Sequence, residues 1–153
     1  MYRILFVCHG NICRSPMAEF IFSDMLKKRG VTGVVVQSAA TSTEETGNPV
    51  HHGTAAVLRR LGIDYSAKRA RQMTRQDADR FDLLIGMDSA NIRNMTRIAG
   101  SENSHKIHRL LDFTARPGDI SDPWYTGDFD STCRDVTEGC EGLLEWLRRE
   151  GRL

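Results

Sequence analysis

No apolar run in the 153 residues approaches the length needed to cross a bilayer, and the opening Met1-Tyr2-Arg3-Ile4-Leu5-Phe6-Val7 is too short for a signal peptide's hydrophobic region. The chain is therefore expected in the cytoplasm. An excess of charge is missing too: 21 Lys and Arg against 20 Asp and Glu leave +1. Nothing draws the whole molecule toward a nucleic-acid backbone or an anionic membrane, so any anion site must be local. Cysteine is sparse. Four residues, Cys8, Cys13, Cys133 and Cys140, are too few for a disulfide scaffold and are expected as thiols in a reducing compartment. Repeats, low-complexity tracts and linkers are absent as well. With 40% apolar and 27% charged residues, the chain reads as a single globular domain spanning 1–153.

The pattern alternates strands with helices. Arg3 to Val7 is a β-rich apolar run stopped by His9-Gly10-Asn11, after which Ser15-Pro16 offers an N-cap and a first-turn proline. The helix is expected from about Pro16 to Arg29, with Met17, Phe20, Ile21, Met25 and Leu26 on one face and Gly30 as its stop. Val34-Val35-Val36 reads as a short strand buried on both faces. Further helices are expected over 49–61, 74–81 and 88–98, a third strand over 82–87 and a weaker fourth over 106–111. Residues 112–128 read as a long loop, and the stripe Cys133, Val136, Cys140, Leu143, Leu144, Leu147 reads as a final helix. The fold class is α/β: a doubly wound, parallel, four-stranded sheet with helices on both faces and a phosphate-binding loop after strand 1.

That loop, Cys8-His9-Gly10-Asn11-Ile12-Cys13-Arg14-Ser15, lies at the carboxyl edge where open α/β sheets bind ligands. A loop curled around an anion turns backbone N–H groups inward, Gly10 and Asn11 tolerate the dihedrals this requires, and the helix N-terminus adds positive potential. His9, Gly10, Asn11, Ile12, Cys13 and Ser15 are thus the expected phosphate-binding set. Arg14 offers a planar fork to two oxygens, which lysine cannot. Such surroundings favour the thiolate form of a cysteine at the strand end, and Ser15 can donate a hydrogen bond to the Cys8 sulfur. Two blander readings stand beside this one. Cys8 could be a buried strand cysteine, or Cys8 and Cys13 could hold zinc, although Cys133 and Cys140 sit in an apolar helical stripe and suit a core better. On their own, His9, His51 and His52 read as ordinary loop or surface residues, and His105 and His108 carry no clear signal. The basic cluster Arg59, Arg60, Lys68, Arg69, Arg71, Arg75 and the acids from Asp119 to Glu141 read as solvated faces.

The Cys, five residues, Arg, Ser spacing within CHGNICRSPMAE, together with Asp122-Pro123-Trp124-Tyr125, resembles the low-molecular-weight protein tyrosine phosphatases. Ser38-Ala39-Ala40, Ala70-Arg71-Gln72 and Met87-Asp88 extend the resemblance over nearly the whole chain. It implies hydrolysis of aryl phosphate monoesters through a phosphocysteine, with Cys8 as nucleophile, Arg14 as oxyanion clamp and Asp122 as general acid and then base, without metal or cofactor. Trp124 and Tyr125 are expected to wall the cleft and stack on a substrate ring, although Trp124 could equally pack the loop onto the domain. Phosphotyrosine proteins or peptides are the implied partners, and inorganic phosphate or another oxyanion the product or inhibitor; no nucleic acid or membrane partner is expected.

Two departures matter: Glu44 stands where some members carry a large aromatic, and Lys68 where many carry a histidine supporting the loop asparagine, which leaves Ser38 to hold Asn11. Cys13, five positions from Cys8, is expected as its redox partner. Three other readings remain in view. Arsenate reductases share the loop but need further cysteines able to reach it. Protein arginine phosphatases tend to carry threonine where Ile12 stands. A non-enzymatic phosphoprotein-binding module would need Arg14 but has no use for both Cys8 and Asp122.

Overall fold

The computed structural model describes every residue from Met1 to Leu153. Four parallel strands stand in the order β2-β1-β3-β4, with β1 at Tyr2–Cys8, β2 at Val34–Ala40, β3 at Leu83–Gly86 and β4 at Ile107–Arg109. Successive side chains of a strand point to opposite faces, and β1 uses this fully. Ile4, Phe6 and Cys8 join the core beneath α1 (Arg14–Lys28), α2 (His52–Arg60) and α6 (Phe129–Arg149). Leu5 and Val7 join the other core, beneath α3 (Arg75–Arg80) and α4 (Ser89–Ala99). Both faces are covered, as expected for a doubly wound sheet.

The chain leaves β1 for β2 on one side and takes up β3 on the other, so the crevice at the carboxyl ends of β1 and β3 is the topological switch point. Three segments meet there: the loop after β1, the turn after β3, and residues 120–122, held by the Ile120 N–H on the Met87 carbonyl at 2.9 Å. No helix is long and apolar enough to cross a membrane.

Several expectations need correction. Val34 to Val36 are only half-buried, because β2 is an edge strand; the apolar run alone could not reveal its place in the strand order. The buried half is Ser38–Ala40, covered by the segment at 70–73 through the Ala40 and Gln72 bridge. Helix α1 begins at Arg14 with no side-chain cap, and the Ser15 hydroxyl is used elsewhere. Helix α2 starts at His52, later than expected, because Pro49 is held in a bridge with Arg69 and the His51 side chain supplies the cap. The expected loop at 112–128 is partly ordered by a four-residue helix α5 (Pro123–Thr126), N-capped by Asp122. In α6, Val136, Cys140, Leu143, Leu144 and Leu147 are buried, whereas Cys133 is only partly so. Close packing here needs a glycine: a Cβ on Gly139 would stand 2.4 Å from Leu110.

Candidate active site

At the switch point, the residues after β1 curl into a ring whose tightest bend is Asn11, the one non-glycine residue with positive φ, at 59°. Asparagine tolerates that conformation better than most side chains. The backbone N–H groups from Gly10 to Arg14 donate to no acceptor in the protein, and the helix N-terminus lies directly behind them. Such a concave run of N–H groups is an anion cradle. Above it opens a pocket lined by Cys8, His9, Gly10, Ile12, Cys13, Arg14, Glu44, Glu45, Asp122, Trp124 and Tyr125.

Cys8 lies at the pocket floor. Its Sγ is 3.0 Å from Ser15 Oγ and accepts from the Ser15 backbone N–H at 3.4 Å. Ser15 Oγ accepts from Asn11 Nδ2 at 2.8 Å, and its own proton has two acceptors in reach, the Cys8 sulfur at 3.0 Å and the more distant Ala39 carbonyl at 3.4 Å. Asn11 Nδ2 also donates to Ser38 Oγ at 2.9 Å, and its Oδ1 accepts from the Arg71 backbone N–H at 3.2 Å. Asn11, Ser15 and Ser38 therefore work below the ring, with their side chains outside the pocket lining.

Ser38 in turn donates to Glu19 Oε1 at 2.5 Å. Lys68 reaches the Ser38 carbonyl at 2.9 Å and lies 3.7 Å from Glu19, so it secures Ser38 and Glu19 rather than Asn11. Burial pushes the Glu19 carboxyl up against the pull of Ser38 and Lys68, and it pushes the Lys68 ammonium down against the pull of Glu19.

Arg14 is 2% exposed. Burial opposes its charge, but Cys8, Asp88 and Asp122 hold the guanidinium pKa above its ordinary value. Nη1 donates to Asp88 Oδ2 at 2.7 Å and to the Ile120 carbonyl at 2.8 Å, whereas Nη2 has only Asp122 Oδ2 at 3.5 Å and Nε has no partner. One edge of the guanidinium is anchored. The other, Nε with Nη2, is a fork able to donate to two oxygens of a tetrahedral anion. Sequence reasoning places Asp88 within the family resemblance but gives it no role in the site, where it caps the helix after β3 and pairs with Arg14.

Asp122 stands on the opposite lip, its Oδ1 accepting from the Trp124 backbone N–H at 3.1 Å. Trp124 and Tyr125 are large aromatics left exposed at the mouth, and Trp124 also meets the His51 ring edge-on, so it both lines the cleft and packs on the body. Glu44 is at the rim, paired with His9 Nε2 at 2.9 Å. Cys13 is buried beside the ring, where burial, with Cys8 and Asp122 adding to it, pushes its thiol up to about 12. Cys133 and Cys140 lie away from this loop in α6, and Cys140 is sealed in the core.

A family model for low molecular weight phosphotyrosine protein phosphatases matches residues 3–153. The chain belongs to this family. It is 45% identical, over the full length of both proteins, to the low molecular weight protein-tyrosine-phosphatase YfkJ of Bacillus subtilis. The crystal structure of YfkJ superposes with a TM-score of 0.94, covering 98% of this chain and 96% of that one. A low molecular weight protein tyrosine phosphatase from Streptococcus pyogenes follows at 0.84 and 40% identity, covering 97% and 93%. The low molecular weight protein-tyrosine-phosphatase PtpA of Staphylococcus epidermidis is 34% identical over all of this chain and 98% of its own.

Within this phosphatase, Asp88→Asn keeps an N-cap for α4 but withdraws the charge facing Arg14. We expect a stability loss of about 3 kcal/mol in urea denaturation, the low end for breaking a largely buried pair. Turnover should fall roughly 10- to 100-fold as the guanidinium loses its anchored edge. Unchanged stability and turnover would show that Ile120 alone fixes Arg14.

Proposed function

We propose that this chain hydrolyses phosphotyrosine in proteins or peptides through a phosphocysteine formed on Cys8. The observation that carries this reading is the cradle itself. A sulfur sits at the floor of a ring of unpartnered N–H groups, with the free edge of a buried arginine in the same pocket and a carboxylate across the mouth. The Cys8 sulfur attacks phosphorus in line with the aryl oxygen. Arg14 and the backbone N–H groups hold the three other oxygens and stabilise the charge that spreads over them in the transition state. Asp122 gives its proton to the departing phenol oxygen as the P–O bond breaks. It then takes a proton from the water that attacks phosphorus, and the S–P bond breaks to return the thiolate. Ser15 steadies the sulfur in both steps. Ile12, Trp124 and Tyr125 offer apolar faces to a phenyl ring, which a phosphoserine side chain would leave without a partner. Inorganic phosphate, the product, fits the same cradle.

Cys13 belongs to this reading as a redox partner. When peroxide converts the Cys8 thiolate to a sulfenic acid, the Cys13 thiol condenses with it, forming the S–S bond and releasing water.

Wild type should hydrolyse a phosphotyrosine peptide with a kcat/KM at least about 10²-fold above phosphoserine or phosphoarginine peptides, and Cys8→Ser should lose turnover yet still bind vanadate in calorimetry. Faster turnover of phosphoarginine would replace the substrate class, and retained activity in Cys8→Ser would remove the nucleophile. Peroxide inactivation should reverse with dithiothreitol in wild type but not in Cys13→Ser; equal recovery refutes the redox role. Glu44 should disfavour acidic residues flanking the phosphotyrosine by only a few-fold at low salt, as an exposed, screened charge can. Glu44→Gln should erase that preference in peptide kinetics, and a preference that survives the change lies elsewhere.

A further inference from the structure

Four rings meet beside the pocket, and His51 is the one that touches all the others. It stacks on His52 at 4.2 Å between centroids and on Phe129 at 5.1 Å with only 12° between planes, and it meets the edge of Trp124 at 5.6 Å and 73°. Its own position is fixed twice. Its backbone N–H donates to the Ile12 carbonyl at 2.9 Å, tying it to the anion cradle, and its Nδ1 accepts from the Gly53 N–H at 3.0 Å, capping α2. A ring accepting at Nδ1 carries its proton on Nε2 in the neutral form. Burial and the neighbouring His52 push its pKa below the ordinary histidine value, against a weaker pull from Glu45. Phe129 behind it is locked as well, since a Cβ on Gly53 would stand 2.4 Å from the Phe129 ring.

By contrast, the segment carrying Asp122 is lightly held. It is anchored at Ile120, at the buried Pro123 and at the Asp128 cap of α6, while Trp124 and Tyr125 between them are exposed. The Trp124 backbone N–H donates to Asp122 Oδ1 while Oδ2 faces Arg14 Nη2 at 3.5 Å, so what fixes Trp124 sets one of the two contacts that aim the carboxylate.

We propose that His51 is a positioning residue for the proton-transfer step, its ring serving as the fixed stop against which Trp124 rests and through which the Asp122 carboxylate is aimed at the cradle. This rests on the assignment of Asp122 as the acid. The effect runs through ring packing, with no contact between His51 and the reacting atoms.

The experiment is a double-mutant cycle read on leaving groups of different acidity, with Trp124 emission as a second readout. His51→Asn keeps a cap acceptor but no ring; His51→Phe keeps a ring but no acceptor. His51→Asn should lower kcat/KM roughly 10-fold or more for phosphotyrosine, whose phenol needs a proton, and much less for p-nitrophenyl phosphate. In an Asp122→Asn background it should cost nothing further, and His51→Phe should restore most of the loss. An equal loss on both substrates, or a full additional loss in the Asp122→Asn background, makes His51 mere support for the fold and overturns the proposal. The acid assignment is judged separately, by whether Asp122→Asn alone depends on the leaving group. Independently of that result, acrylamide should quench Trp124 more strongly in His51→Asn than in its parent. This is read in a Trp146→Phe background, because Trp146 packs elsewhere, against Phe113. Unchanged quenching overturns the stop whatever Asp122 does.

Discussion

The burial of a single guanidinium organises this molecule's functional edge. Arg14, at 2% exposure, holds a full charge where an unpaired one would cost several kcal/mol, so the fold must bring partners to it. They come from far along the chain: the Asp88 carboxylate from the turn after β3 and the Ile120 carbonyl from the segment before α5. Meeting both demands at Nη1 draws residues 119–122 across the carboxyl ends of β1 and β3. Asp122 arrives on the pocket lip as a consequence of that path. The acid of the proposed mechanism and the clamp of its transition state are thus delivered by one electrostatic requirement.

Beneath the cradle a second constraint operates, through polar groups with no hydrogen-bonding capacity to spare. The amide of Asn11 is almost fully buried, and its donors and acceptor are taken by Ser15, Ser38 and the Arg71 backbone. An aspartate there would lack the donors, and a larger residue would not accept the positive φ. From Ser38 the chain of bonds passes to Glu19 on α1 and to Lys68, so the proposed substrate loop is braced by a charge pair lying beyond Ser38. Fully satisfied buried networks of this kind rigidify what they hold. That rigidity is what a cradle needs if its N–H groups are to point at phosphate oxygens before any arrive.

Much of this was legible in the sequence, and the part that was not has a common physical origin. Cys8 to Ser15, α1 and the stripe of α6 are local patterns, written in consecutive residues or one helical period. The parallel sheet followed from alternation, and the loop's resemblance to a phosphatase signature carried the family. What escaped depends on which segments become neighbours. Val34 to Val36 looked fully buried because apolar content does not say which strand stands at the edge. Ser15 reads both as a helix cap and as a partner of the Cys8 sulfur, and only the second holds, because a hydroxyl turned to the sulfur is not available to cap the helix. A buried arginine demands a carboxylate, yet with 20 acids in the chain the sequence marked Asp88 only as part of the Met87-Asp88 resemblance and not as the partner of Arg14. His51 read as an ordinary loop histidine for the same reason, since its ring partners Trp124 and Phe129 lie more than seventy positions away.

The two halves of the site differ in stiffness, and the proposed chemistry explains why they should. The cradle must hold the same three oxygens while a P–O bond breaks, an S–P bond forms and that bond breaks in turn, so any give there would weaken the electrostatic stabilisation of both transition states. Asp122 has the opposite task. Between the two steps its partner changes from a phenol oxygen to a water, which do not occupy the same volume, and the aryl product must leave past Trp124 and Tyr125 before water enters. A carboxylate on a four-residue helix with two exposed aromatics, resting on one ring rather than buried in a network, can meet both partners. Burying those aromatics would add apolar contact and stability, but it would remove the freedom on which the second step depends.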